Sequence, residues 1–326
     1  MTTGSKHQLR GFSLLEIAIV LAILGFVLTI GLKSTGAYLS AERRQTTVAR
    51  LAGIDAAMVN FVALQKRLPC PADGALAQGA ALLGVERRDN VTGLCSIDPG
   101  PPVTPFMNRG VVPWVTLGIS EAEALDGWNN RITYRTVPAV VAAMPAGTNN
   151  GFTSDQALDM TNCDTAGAVG TPTMLRALGP SLQPVNTCVA NGAPPGCSNT
   201  NLALCTPPLN FVNNRGLLVR DGFAAPVVPS GVQIMIPANA TGAAYVLISH
   251  GVNRGGAYSS AGVIQTGSPA NSALENINNN NQAIQPFYMD APQVDAAGAN
   301  NHFDDIVVRP TLMSVITRAG LGPRAH

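Results

Sequence analysis

Charged side chains are scarce in this chain of 326 residues. Asp, Glu, Lys and Arg together make up 12% of it, about half the share that is usual in soluble proteins. The net charge at pH 7 is +1, so neither sign is in surplus to attract nucleic acid or an acidic substrate. We therefore expect no nucleic-acid partner.

The motifs of common enzyme classes are also lacking. The sequence contains no GxSxG, HExxH or P-loop motif, and no GxGxxG motif follows a strand-like segment. His250 could be grouped with Asp304 or Asp305 and a serine as a triad, but residue types alone offer such a set in any chain of this length. We interpret His250 as a structural residue at a strand end, and we expect no catalytic residues and no enzyme activity.

A CxxC motif is absent among the six cysteines. An even number of widely spaced cysteines is typical of disulfides in an oxidising compartment, and six allow 15 connectivities. Buried free thiols in a cytosolic protein are the alternative. No pair has the close spacing of zinc ligands, and no histidine lies near a cysteine. The cysteines are Cys70, Cys95, Cys163, Cys188, Cys197 and Cys205.

The sequence has one long apolar run, at residues 12–32. Within this run only Ser13, Glu16 and Thr29 are polar. A helix of this length spans about 30 Å, the thickness of the hydrocarbon core of a membrane. The run is too long for a secretory signal peptide. A carboxylate inside a membrane costs roughly 3 kcal/mol or more, so Glu16 requires an explanation.

The stretch GFSLLE, residues 11–16, resembles the N-terminus of type IV pilins and of type II secretion pseudopilins. The resemblance implies a leader peptide at residues 1–11, removed after Gly11 by a prepilin peptidase. It also implies N-methylation of Phe12, which becomes the first mature residue. Glu16 then stands at the fifth mature position, where it meets the N-terminal amine of a neighbouring subunit in the filament. The alternative is a plain anchor whose Glu16 reaches the membrane interface.

The helix is expected to continue to about residue 67, where RLPCP ends it. Apolar residues recur at steps of three and four and predict a stripe that needs a covering sheet; a coiled coil is the alternative. Charged residues of this segment, among them Arg50 and Asp55, are expected to face away. The stripe consists of Leu39, Val48, Leu51, Ile54, Met58, Phe61, Val62 and Leu64.

The pattern of the remaining chain predicts strands separated by Gly, Pro and Asn. We predict an α+β fold, in which a long N-terminal α-helix with a transmembrane first half packs on an antiparallel β-sheet, as in pilins. Trp114 and Trp128 are expected in the core, with a carbohydrate-stacking face as the alternative. Strands are predicted at 129–137, 231–236, 243–250 and 304–310, a disulfide-containing, loop-rich insertion at about 138–231, and a polar loop at 275–285.

Further segments resemble major pseudopilins. DGWNNRITY (126–134), VLISHGVNRGGAY (246–258) and FDDIV (303–307) are similar to a Trp-containing turn, a Gly-rich loop and a terminal Asp-Asp-Ile of that family. There the loop binds calcium, which implies calcium ligands at Asp304 and Asp305, although Asn253 stands where the family has a loop aspartate. Alternatively, both aspartates are solvated or capping groups at a strand start.

The sequence thus predicts a prepilin-like structural subunit of a type II secretion pseudopilus or a type IV pilus. Residues 12–67 form its helix, of which 12–32 cross the bacterial inner membrane once, and 68–326 form a periplasmic body. The expected partners are the prepilin peptidase, other pilin or pseudopilin subunits, and the inner-membrane assembly platform. A minor pilin with an adhesive or substrate-binding insertion is the alternative.

Overall fold

The computed structural model describes residues 14–88, 95, 110–137, 152–153, 158–161, 212, 215–222, 232–266, 273–279, 287–294 and 302–322. The chain divides into two compact units, Met1–Arg44 and Gln45–His326. Helix α1, Leu14–Gln65, begins in the first unit and ends in the second. Its end lies close to the predicted boundary near residue 67.

In the first unit, every side chain of the apolar stretch Leu14–Phe26 is exposed. Among the described residues, Tyr38–Gln65 is the helical segment long and apolar enough to cross a membrane by length and composition, but a third of its apolar stretch of 18 residues is buried within the protein. A buried amphipathic helix passes the same test. The exposed apolar surface of Leu14–Phe26, at the start of the run 12–32, is the part suited to lipid.

In the second unit, α1 buries one stripe of its surface. Leu51, Ile54, Met58 and Val62 lie three or four residues apart and are essentially inaccessible to solvent. The prediction was wrong for Leu39, Val48 and Leu64, which are exposed, because the buried face is narrower than the apolar pattern. After the helix, Lys66 adopts a left-handed conformation with φ of 57°.

The main sheet has five strands in the order β1-β2-β4-β7-β10, and every neighbouring pair in it is antiparallel. The central pair places Tyr134 opposite Leu247. Both side chains join the core cluster that contains the α1 stripe, so the sheet covers the helix as predicted. The strands are β1 (Ala72–Asp73), β2 (Gly110–Val111), β4 (Thr133–Thr136), β7 (Tyr245–Ser249) and β10 (Ile306–Val308).

Within the described ranges, two smaller sheets accompany the main sheet. One pairs β3 (Asn130–Arg131) with β8 (Tyr258–Ser259), and the other has the order β6-β5-β9, formed by Gln233–Met235, Val219–Arg220 and Tyr288–Met289. The β5–β9 pair is parallel, whereas the main sheet that covers α1 is antiparallel as predicted. The short helices are α2 (Trp114–Leu117), α3 (Ala273–Asn278), α4 (Leu312–Arg318) and two 3-10 turns, Glu121–Ala124 and Pro237–Asn239.

The described parts of the predicted insertion contribute to the body itself. Phe152, Leu158, Met160 and Val212 are buried in the same core cluster as the α1 stripe, and β5 lies within the range 138–231. The described disulfide joins Cys70 to Cys95, before that range. Cys163, Cys188, Cys197 and Cys205 lie outside the described residues.

Both tryptophans are buried in the core, as predicted. Trp114 and Trp128 are 4% and 7% exposed, and the guanidinium of Arg131 lies 5.5 Å from the centre of the Trp114 ring. A carbohydrate-stacking face requires exposed rings, and neither tryptophan offers one.

Antiparallel pairing places one end of each of three strands, β4, β7 and β10, at the same end of the main sheet. Thr133 at the start of β4 pairs with Ile248 near the end of β7, and Ser249 pairs with Ile306 at the start of β10. The segments flanking these ends, 126–132, 250–257 and 302–305, therefore meet in space. All three contain the residues that the sequence singled out.

Candidate functional site

The N-terminal site lies at the start of α1. Gly11 and Phe12 fall outside the described residues, whereas Glu16 lies in the first turn of the helix and is exposed. Exposed apolar side chains surround Glu16. A shallow depression on this surface is lined by Glu16, Ile17, Ile19, Val20 and Leu21. A carboxylate on an apolar helical surface is suited to pair with a cation of another chain when that surface becomes buried.

Further along, α1 contacts the Trp-containing turn through polar groups. Arg50 donates from Nη1 to the carbonyl oxygens of Leu125 and Asp126, both at 3.0 Å. The backbone N–H of Gly127 donates to Thr47 Oγ1 at 2.8 Å. The expectation that Arg50 faces away from the body was wrong, because its long side chain reaches two carbonyl oxygens of the turn, of which that of Asp126 also accepts the backbone N–H of Asn129.

Asp55 also contacts the body instead of facing away. Its carboxylate accepts hydrogen bonds from Tyr245 Oη at 2.5 Å and from Arg318 Nη2 at 2.6 Å. These contacts join α1 to β7 and α4, so polar residues on both sides of the apolar stripe fix the helix to the sheet.

Asp126 organises the turn from within. Its Oδ1 accepts the backbone N–H groups of Trp128 and Asn130, each at 2.9 Å, and its Oδ2 accepts the hydroxyl of Ser249 at 2.8 Å. Burial raises the pKa of the Asp126 carboxyl, although these hydrogen bonds oppose the shift. Two segments that resemble pseudopilins, 126–134 and 246–258, are thus joined by a hydrogen bond.

Asp304 closes the Gly-rich loop. Its Oδ2 accepts the backbone N–H groups of Val252 at 2.7 Å and Asn253 at 2.9 Å. Gly251, with φ of 56°, faces the same side chain, and a Cβ at that position would lie 2.6 Å from Asp304 Oδ1. Only glycine permits this close approach.

A histidine and two carboxylates meet beside this loop. Glu275 on α3 accepts the Asp304 backbone N–H at 3.0 Å and the Asn253 side-chain amide. His302 Nε2 lies 3.5 Å from Glu275 Oε1 and 3.7 Å from Asp304 Oδ2. One donor atom from each of Glu275, His302 and Asp304 lies within 4.8 Å of the others. We call these three residues the His302 cluster.

The neighbouring Asp305 lies in a separate set of contacts. Its Oδ2 accepts from Asn278 Nδ2 at 2.7 Å, and its Oδ1 lies 3.8 Å from His250 Nδ1. His250 Nε2 in turn lies 2.8 Å from Thr133 Oγ1, in agreement with a structural role for this histidine. Asp304 and Asp305 are both buried, so they are not solvated groups, whereas the two backbone N–H groups that donate to Asp304 Oδ2 agree with the alternative that it is a capping group.

Burial and mutual repulsion shift the pKa values of this region. Burial, followed by the charge of Asp304, raises the pKa of Glu275 to about 8. Burial, followed by the charge of Glu275, raises the pKa of Asp305 well above its usual range. Burial, followed by the charge of Arg135, lowers the pKa of His250 to about 3, so this histidine is neutral at pH 7. The surroundings of Glu275 and Asp305 thus favour protonation of these two carboxyl groups or their pairing with a cation.

The residues present match the implied calcium ligands only in part. Asp304 belongs to the His302 cluster and Asp305 does not. Calcium prefers six to eight oxygen ligands, whereas the cluster offers two carboxylates and an imidazole nitrogen. Calcium binding by Asp304 and Asp305 stays a prediction, and the donor set that the structure assembles is of a different kind.

Sequence reasoning missed Glu275, His302 and Asn278. Residues 275–285 were predicted to be a polar loop, but Ala273–Asn278 is a helix in which Glu275 and Asn278 are buried. The prediction was wrong there because polar composition does not reveal a buried partner. The spacing His302-x-Asp304 was an available signal, since alternate residues of an extended segment point to the same side.

The exposed apolar helix with its acidic residue and the folded α+β body fit a membrane-anchored protein with a single N-terminal helix. Residues 7–32 match the family model described as "Prokaryotic N-terminal methylation motif". The chain therefore contains the N-terminal signature of type IV pilins and pseudopilins. No curated protein and no solved structure matches the chain.

Proposed function

We propose that the chain is a prepilin-like structural subunit that a prepilin peptidase cleaves between Gly11 and Phe12, and that Phe12 is then N-methylated. The observation that supports this most strongly is the match of residues 7–32 to the methylation motif. The exposed apolar surface of Leu14–Phe26 agrees with it, because a surface of this kind needs either lipid or other helices around it.

Assembly into a filament would explain Glu16. Cleavage creates a positively charged amine at Phe12, and an amine and a carboxylate that are each costly in lipid become less costly when they pair. Pairing between neighbouring subunits requires head-to-tail contacts, and such contacts produce an open fibre when the rotation between subunits does not close into a ring. We propose a type II secretion pseudopilus or a type IV pilus as the fibre, with the body on the periplasmic side and an inner-membrane platform as the assembly partner.

The experiment that tests processing is intact mass analysis of the membrane-extracted protein, with and without its prepilin peptidase. We expect a mature chain that begins at methylated Phe12 only when the peptidase is present. A chain that still begins at Met1 in the presence of an active peptidase would refute the proposal and leave a single-pass anchor.

A second experiment tests the role of Glu16 in assembly. We expect Glu16→Gln to be cleaved normally but to enter sheared filaments poorly, because the amine of the neighbour then has no anionic partner. Glu42→Gln is the matched control, since Glu42 is also an exposed glutamate on α1 but lies outside the run 12–32. Equal incorporation of both variants would rule out the proposed pairing.

A further inference from the structure

We propose that Glu275, His302 and Asp304 form a binding site for one divalent transition-metal ion of the zinc type, a site that shares Asp304 but not Asp305 with the calcium ligands that the resemblance implies. This inference does not depend on processing or filament assembly.

The three side chains come from two elements that the fold holds together. Glu275 projects from α3, and His302 and Asp304 lie in the extended segment before β10. Each is more than nine-tenths buried, and their donor atoms lie within 4.8 Å of one another. The separation of His302 Nε2 from Glu275 Oε1, 3.5 Å, is longer than a hydrogen bond. It is similar to the distance between ligands that share a metal with bonds of about 2.0–2.2 Å.

An independent observation is the free capacity of one carboxylate oxygen, Asp304 Oδ1. Asp304 is 3% exposed, and its Oδ1 has no hydrogen-bond partner among the described residues. Its Oδ2 already accepts two backbone N–H groups, which use both lone pairs of that oxygen. A buried carboxylate oxygen without a donor is costly, and a bound cation would satisfy it.

The donor types decide the class of ion. Imidazole nitrogen together with carboxylate oxygen suits Zn²⁺ and similar first-row ions, whereas Ca²⁺ and Mg²⁺ prefer oxygen ligands alone. Three protein ligands leave one position of a tetrahedral ion for water. Asn253, which stands at the place of the family's loop aspartate, does not add a carboxylate to the set and instead donates to Glu275.

The consequence of metal binding would be structural. The same carboxylates already contact the Gly-rich loop through Val252 and Asn253. An ion in the His302 cluster would therefore tie this loop, α3 and the edge strand β10 together. It would also reduce the repulsion between Glu275 and Asp304.

The test uses the full-length chain, purified in detergent without a histidine tag and stripped with a chelator. Zn²⁺, Co²⁺ and Ca²⁺ are each added by equilibrium dialysis, bound metal is counted, and the unfolding temperature is recorded. The variants are His302→Gln and Glu275→Gln. The matched control is Glu123→Gln, because Glu123 caps a 3-10 turn on the exposed surface and glutamine serves in the same cap.

We expect one Zn²⁺ or Co²⁺ per chain and an increase in unfolding temperature with Zn²⁺. His302→Gln should weaken Zn²⁺ binding by at least the about 10- to 100-fold that loss of a supporting partner costs, and Glu123→Gln should leave it unchanged. Bound Co²⁺ should give visible absorption typical of a four-coordinate site, a readout that needs no variant. Failure of the wild type to bind Zn²⁺ would overturn the proposal. Binding that His302→Gln leaves intact, or Ca²⁺ binding as tight as Zn²⁺ binding, would do so too.

Discussion

Replacement of Asp126 tests how the Trp-containing turn is fixed to the sheet. Asp126→Ala removes the acceptor of three hydrogen bonds, from the N–H groups of Trp128 and Asn130 and from the Ser249 hydroxyl. Asp126→Asn preserves the geometry, because the amide oxygen still accepts the two N–H groups while the amide nitrogen donates to Ser249 Oγ. The pair of variants separates loss of the hydrogen bonds from loss of the charge.

The expected magnitudes follow from these contacts. Three hydrogen bonds at about 1 kcal/mol each give a loss of about 3 kcal/mol for Asp126→Ala. We expect less than about 1 kcal/mol for Asp126→Asn, because burial already disfavours the charged form of Asp126. For a body of this size, about 3 kcal/mol corresponds to a decrease in unfolding temperature of roughly 6 °C or more.

The assay is unfolding of the detergent-solubilised chain followed by tryptophan fluorescence, since both tryptophans are buried and Trp128 lies in the turn itself. Because the folded-state pKa of Asp126 is raised, the protonated carboxyl stabilises the fold relative to the charged one. This stabilisation is complete below the pKa that Asp126 has in the unfolded chain, and it is lost as pH increases through the folded-state pKa. The wild type should therefore lose stability relative to Asp126→Asn as pH increases through that window. Equal stability of Asp126→Ala, Asp126→Asn and the wild type would refute the role assigned to this carboxylate.

The remaining predictions concern the loop, the disulfide and the response to acid. Gly251→Ala should destabilise the chain more than Gly118→Ala, because both positions have positive φ but only at Gly251 would the new Cβ meet Asp304; equal losses of unfolding temperature would contradict the close approach. Replacing Cys70 and Cys95 together by alanine should lower the free energy of unfolding by roughly 3 kcal/mol, because the disulfide joins residues that are 25 positions apart in the sequence. An unchanged denaturation midpoint would argue against this stabilisation. His250 has its pKa lowered to about 3, so its contribution is complete above about pH 6.5 and is lost as pH decreases towards 3, by at most about 1.4 kcal/mol per pH unit. His250→Asn should flatten this part of the stability profile, and an identical profile would show that another group is responsible.

The helix and the strands were predictable because their signals are local. The spacing of Leu51, Ile54 and Met58 indicates a buried helical face, and RLPCP marks the end of the helix within two residues of Gln65. Strands β4, β6, β7 and β10 lie inside their predicted ranges. Strands β1, β2, β5, β8 and β9 were missed, because a strand of two residues offers no periodicity to detect.

The His302 cluster was only partly predictable, because its ligands are far apart in sequence. Asp304 could be singled out by resemblance, but Glu275 lies 29 residues before it in a segment whose composition suggests a loop. What brings them together is the position of α3 against β9 and the segment before β10, a tertiary contact that no short window contains. Likewise, Arg50 and Asp55 have the composition of a solvated face and serve instead as contacts between α1 and the body.

The register of the main sheet explains why scattered motifs form one region. Because β4, β7 and β10 are adjacent and antiparallel, Thr133, Ser249 and Ile306 lie at the same end of the sheet. The Ser249 hydroxyl then reaches Asp126, and the residue after it, His250, lies beside Asp305. A change at any of these three strand ends should therefore disturb the Trp-containing turn and the Asp304 loop together. The resemblance to pseudopilins at these segments thus concerns one hydrogen-bonded end of the sheet, to which α1 is joined through Arg50 and Thr47.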